Sequence, residues 1–76
     1  MNAKQRRQLE RKTKYKITLT RGADESWVTY DFRSDDAVEW VKKNAKGEYV
    51  IKNRFAEATF QFQKESDAVI FGLKWI

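Results

Sequence analysis

The sequence predicts an α+β fold: two ββα repeats forming a four-stranded antiparallel sheet with two helices on one face, a permuted ferredoxin-like layout, preceded by a basic N-terminal arm. Three observations lead there. The phrase YDFRSDDAVEWVKK, residues 30 to 43, returns as FQFQKESDAVIFGLKW, residues 60 to 75, with TYDF matching TFQF thirty positions on and DAV matching DAV at thirty-one. Each copy is preceded by short segments of alternating polarity, the period of a half-buried strand. The excess positive charge is confined to one end, which divides the 76 residues into an arm over 1–14 and one domain over 15–76.

The arm MNAKQRRQLERKTK is rich in helix formers, but its only sizeable apolar residues are Met1 and Leu9. Residues 1 to 16 carry seven basic side chains against the single acid Glu10, a charge of +6, and the remainder carries nine against ten, or −1. Repulsion between Lys4, Arg7 and Arg11 on adjoining turns opposes helix formation, and a Glu10–Lys14 pair offsets it by only tenths of a kcal/mol. An arm of this kind is expected to fray alone and to order on a polyanion.

YKITLT, residues 15 to 20, predicts the first strand, with Tyr15, Ile17 and Leu19 inward. RGADES supplies a turn, and WVTYDF, residues 27 to 32, predicts a second strand with Val28, Tyr30 and Phe32 on one face. Ser34, Asp35 and Asp36 read as a helix start, a capping hydroxyl followed by acids that suit the positive end of the dipole. That helix is expected to run to about Lys46 with Gly47 as its stop, burying Ala37, Val38, Val41 and Ala45 and leaving Trp40 on the margin.

EYVIKN predicts a third strand and ATFQFQ a fourth, with Ala58, Phe60 and Phe62 inward. Ser66 and Asp67 then begin the closing helix. Steps of 100° place Ala68, Gly72, Trp75, Val69 and Ile76 on its core side, with Phe71 at the margin. A right-handed split crossover gives the strand order 1-2-4-3. Ile70 and Leu73 are then left over, to be covered by the arm or sheet rim, by a twin subunit or by a partner protein.

Chemistry is narrowly bounded. With no cysteine and no histidine, disulfides, the usual zinc sites and imidazole catalysis are excluded. The serines have no histidine to activate them, and the three glycines form no phosphate loop. Asp24 with Glu25, or Asp35 with Asp36, could touch a magnesium ion, although helix electrostatics already accounts for the second pair. No catalytic residue, metal site or cofactor is therefore assigned, and the chain reads as a non-enzyme. The best apolar run, Ala68 to Leu73, falls far short of the roughly 20 residues needed to cross a bilayer, and the charged N-terminus lacks the apolar stretch of a secretory signal, so a cytoplasmic location is expected.

Two binding surfaces remain. Lys4, Arg6, Arg7, Arg11, Lys12 and Lys14 are the candidate contacts to RNA or DNA phosphates, whether of free nucleic acid or of a nucleoprotein machine. The predicted outward sheet positions, Lys16, Thr18, Thr29, Thr59, Gln61 and Gln63 with Trp27 near an edge, cannot stack bases well, so further contacts fall to Lys52 and Arg54. Ile70, Leu73 and Trp75 are the candidate protein interface, for a host protein or for a second subunit, and both monomer and homodimer are compatible with the sequence.

The pattern F-x-F-x-x-E-x-D-A-V-x-F-x-L-K-W, carried by Phe60, Phe62, Glu65, Asp67, Ala68, Val69, Phe71, Leu73, Lys74 and Trp75, resembles the C-terminal segment of small accessory proteins of large tailed bacteriophages of the T4 group. The resemblance covers about a fifth of the chain. It implies a viral accessory protein acting in a bacterial cytoplasm, with host takeover as its setting, and it transfers no activity and no functional residue.

Overall fold

The computed structural model describes residues 2–76, apart from the side chain of Glu10, so that Met1 and the expected Glu10–Lys14 pair lie outside the described residues. Along the chain the elements are α1 (Ala3–Lys12), β1 (Tyr15–Thr20), α2 (Trp27–Asn44), β2 (Tyr49–Arg54), β3 (Glu57–Phe62) and α3 (Glu65–Trp75). The class is α+β, as expected. The architecture is not: the described residues form three strands and three helices, in place of a four-stranded sheet with two helices, and the two halves of the chain are not copies of one unit.

The difference arises at WVTYDF, which opens a helix of 18 residues instead of forming a strand. Ser26, not Ser34, is the cap, its Oγ accepting the Thr29 N–H at 3.1 Å. Tyr30, Ser34, Ala37 and Val41 are all buried at spacings of four, three and four, which is one continuous helical stripe. The alternation of Val28, Tyr30 and Phe32 is incidental, since Val28 is 64% and Phe32 68% exposed. Asp35 and Asp36 consequently sit in mid-helix on the exposed side, away from the N-terminal dipole.

α2 ends at Asn44, with the Ala45 N–H donating to the Val41 carbonyl, so Gly47 is not its stop. Gly47 answers a different need. A Cβ there would lie 2.9 Å from Lys64 Cγ and 3.2 Å from Gln63 Oε1, so the α2–β2 loop passes the β3–α3 corner too closely for a side chain.

β3 is the central strand of the sheet, antiparallel to both neighbours in the order β1-β3-β2, which replaces the expected 1-2-4-3. Its partners align in rows: Tyr15, Phe62 and Tyr49; Ile17, Phe60 and Ile51; Leu19, Ala58 and Asn53. These rows form the inner face, because side chains on a strand alternate and Leu19, Ala58, Phe60 and Phe62 are wholly buried. The inward assignment of Ala58, Phe60 and Phe62 therefore holds. A two-residue turn, Phe55–Ala56, joins β2 to β3, with Ala56 in the left-handed region at φ 62°.

α3 meets the sheet through Ala68, Phe71 and Trp75, a stripe with Phe71 at its centre. The Phe71 ring lies 4.5 Å from Phe60, 5.4 Å from Phe62 and 6.0 Å from Trp40. The expected phase is corrected accordingly: Phe71 is central, while Val69 is 52% and Ile76 71% exposed. Apolar residues surround this helix, so its own pattern does not fix its rotation, and the aromatic sheet face does. Ser66 does not cap it. The first turn follows Lys64 without a side-chain cap, and buried Asp67 instead accepts the N–H groups of Lys46 and Gly47, both at 3.0 Å, tying the α2–β2 loop to α3.

Candidate functional site

α1 is held by its own ends. Asn2 accepts the Gln5 N–H at 2.9 Å and donates its own N–H to the Gln5 side chain at 3.2 Å, a capping box that offsets the absence of acids in the first turn. At its other end the Thr13 hydroxyl donates to the Leu9 carbonyl at 2.8 Å and lies 3.4 Å from Gln61 Oε1. Thr13 is wholly buried and Gln61 is 3% exposed. Gln61 alternates with Phe60 and Phe62, so it leaves the sheet on the outer face, and α1 is anchored there by the contact with Thr13.

Half-buried Leu9, with Gln5, Gln8 and Lys12, faces Glu48 and Tyr49 across a groove of about 430 Å³. A single leucine and a buried threonine thus give the basic segment a docking surface that its composition conceals. Lys4, Arg7 and Arg11, spaced three and four apart, lie on the opposite side of α1 and are exposed. Lys14 follows the helix, its Nζ 5.3 Å from the centre of the Tyr15 ring. Arg6 is exposed on the flank of α1.

The outer sheet face continues this surface. Its rows are Lys16, Gln61 and Val50; Thr18, Thr59 and Lys52; Thr20, Glu57 and Arg54. Three cations and one acid thus share the face on which α1 is anchored, and a Thr18–Thr59 hydroxyl pair at 3.5 Å lies between Lys16 and Arg54. Lys16, Thr18, Thr59 and Gln61 are placed as expected, whereas Thr29 belongs to α2 and Trp27 to its start.

Of the candidate protein interface, Ile70 and Leu73 are exposed neighbours three positions apart on α3, whereas Trp75 is not. Leu73, 82% exposed, lines a groove beside β1, and Ile70, 50% exposed, lines another with Trp40 and Asn44. Trp75 is half-buried and packs on the core, its ring 6.4 Å from Phe71. Neither the arm nor the sheet rim covers Ile70 and Leu73.

An aromatic corner that sequence reasoning did not single out lies at the far end of the sheet. Phe55, 89% exposed at the β2–β3 turn, stands 5.0 Å from Trp27, whose ring also meets the Arg21 guanidinium at 4.4 Å. Beneath it Arg33 clamps Glu25 with two bonds of 3.0 and 2.7 Å and also donates to the Thr20 carbonyl at 2.7 Å. The Arg33 bond, then the Gly22 N–H, holds the Glu25 carboxyl below its ordinary value of 4.5. This acid therefore serves the β1–α2 connection. Among the described residues no cluster of His, Cys, Asp or Glu could hold a metal ion, and no helix is long and apolar enough to cross a membrane.

Comparison of the chain with protein-family models, with curated proteins and with solved structures found no match.

Proposed function

We propose that this chain is a non-enzymatic accessory protein that contacts RNA or DNA through the basic face formed by α1 and the outer side of the sheet. The observation that carries this reading is the Thr13–Gln61 contact, which anchors the basic helix on the same face as Lys16, Lys52 and Arg54. Lys4, Arg7, Arg11, Lys12 and Lys14 supply phosphate contacts from α1 and its C-terminal flank, with Arg6 beside them. A face built of lysines, arginines and threonines without outward aromatic rings favours backbone contact over base readout. The resemblance of residues 60 to 75 to phage accessory proteins supports a setting in the bacterial cytoplasm during host takeover. It adds no binding residue, because Phe60, Phe62, Asp67, Ala68 and Phe71 are interior positions. An inhibitor docking on a host protein through Ile70, Leu73 and Trp75 is the weaker reading, since Trp75 packs on the core and leaves only Ile70 and Leu73 exposed.

Fluorescence anisotropy with labelled single- and double-stranded oligonucleotides tests the reading. Deletion of the arm is a poor probe because Thr13 is buried, so the variant is Lys4→Gln/Arg7→Gln/Arg11→Gln, all exposed. Binding should weaken steeply with salt, and the triple variant should lower the slope of log K against log salt by about 2 to 3. Binding that is insensitive to salt, or unchanged in the variant, would overturn it.

A further inference from the structure

The hydrogen-bond phase of the sheet identifies which backbone groups of β1 are unused. The Arg21 N–H donates to the Ala56 carbonyl, and these residues continue the β1–β3 register by one step. In an antiparallel ladder bonded and non-bonded pairs alternate. Tyr15, Ile17 and Leu19 therefore bond to β3, and the N–H and C=O groups of Lys16, Thr18 and Thr20 point to the open edge. The Thr20 carbonyl already accepts from Arg33, which agrees with this phase. The other edge of the sheet, β2, has α1 against its beginning.

We propose that β1 pairs antiparallel with β1 of a second copy of this chain, Ile17 opposite Ile17, to form a continuous six-stranded sheet. Three registers keep inner face against inner face, and the chemistry separates them. Placing Lys16 opposite itself sets like charges face to face. Placing Thr18 opposite itself brings Thr20 into the ladder, where its carbonyl is already taken. Placing Lys16 opposite Thr18 of the second copy engages every N–H and C=O of both residues in each chain, opposes no like charges and leaves the Arg33–Thr20 bond intact. It also stacks three apolar inner pairs, Ile17 on Ile17 and Tyr15 on Leu19 twice.

The surface beside β1 fits the same partner. A groove of about 350 Å³ between β1 and α3 is bordered by Ile17, Val69, Gly72 and Leu73, with Val69 and Leu73 at least half exposed. A glycine inside a helix costs about 1 kcal/mol relative to alanine. The monomer gives no reason for it, because a Cβ at Gly72 would meet only Ile17 Cδ1 at an ordinary 3.9 Å. In the pair, Ile17 lies on the two-fold axis and the α3 helices flank it, so apolar side chains of the second copy enter the space that Gly72 leaves. A two-fold pairing of this kind is closed and ends at two chains, unlike an open edge that recruits further strands. It also joins both outer faces, with Lys16 and Thr18 of each copy at the seam. The pairing stands independently of the nucleic-acid reading.

Sedimentation equilibrium of the full chain without nucleic acid tests it. The expected mass doubles from 9.1 kDa to about 18 kDa, and association should strengthen with salt, because each chain carries +5. Leu73→Glu should restore the monomer with unchanged circular dichroism. Oxidised Ile17→Cys should give a covalent dimer, since residues of a non-bonded pair come within disulfide reach, while Ile51→Cys on β2 should not. If Ile17→Cys fails to fold, a mixture of Lys16→Cys and Thr18→Cys chains, both exposed positions, should cross-link instead. A monomer at every concentration and salt, or cross-linking through position 51 as readily as 17, would overturn the proposal. A dimer that binds no oligonucleotide would sustain it and reject the nucleic-acid reading.

Discussion

Ala56 holds a backbone conformation that costs a residue with a Cβ roughly 1–2 kcal/mol. In its two-residue turn the positive φ falls at the second position, where glycine is the usual occupant. Ala56→Gly should therefore stabilise the chain by about 0.5–1 kcal/mol, read as a higher urea midpoint, after the entropy glycine loses on folding is deducted. Glu25 acts through charge. Its carboxyl is held below 4.5, chiefly by the Arg33 bond, so the folded chain takes up this proton less readily than the unfolded one. The stabilisation is present above about pH 4.5 and is lost as pH falls through the lower folded value. The gap in urea midpoint between wild type and Glu25→Gln should accordingly narrow on acidification, and a widening gap would contradict the assignment.

At the scale of the element, one phrase takes two structures. TYDF lies in α2 and TFQF in β3, so the resemblance between them marks no duplication. What separates them is context over a longer window: TYDF is followed without interruption by a stripe through Ser34, Ala37 and Val41, whereas TFQF is closed on both sides, by the turn at Phe55–Ala56 and the bend at Gln63–Lys64. The body of α2 from Ser34 to Asn44 was legible as helix, though neither of its ends was, because helix formers and periodicity agree there, and β3 was legible because alternation and burial agree. The beginning of α2 was not, since Trp27, Val28, Tyr30 and Phe32 favour strands, and the Ser26 cap together with the packing of Tyr30 overrules them. Phe32→Lys distinguishes the two assignments. On an exposed helical face it should change stability by no more than about 0.5 kcal/mol in urea titration, whereas an inward strand position would lose several.

At the scale of the whole molecule, the sheet separates two kinds of surface. Aromatic and aliphatic side chains fill the side covered by α2 and α3, and the opposite side carries α1 with the scattered cations of β1 and β2. The charged residues of this face were legible as charges, but their common location was not, because it depends on a buried threonine meeting a glutamine 48 positions away. Ile70 and Leu73 were legible as surplus apolar residues, and the position of Leu73 beside an edge strand was not, because it depends on β1 pairing with β3 alone. The most direct measurement is a map of backbone amide chemical-shift changes on titration with an oligonucleotide. Shifts concentrated in α1 and at Lys16, Thr18, Lys52, Arg54 and Thr59 are expected; shifts confined to α2 and α3, or none at all, would contradict the account.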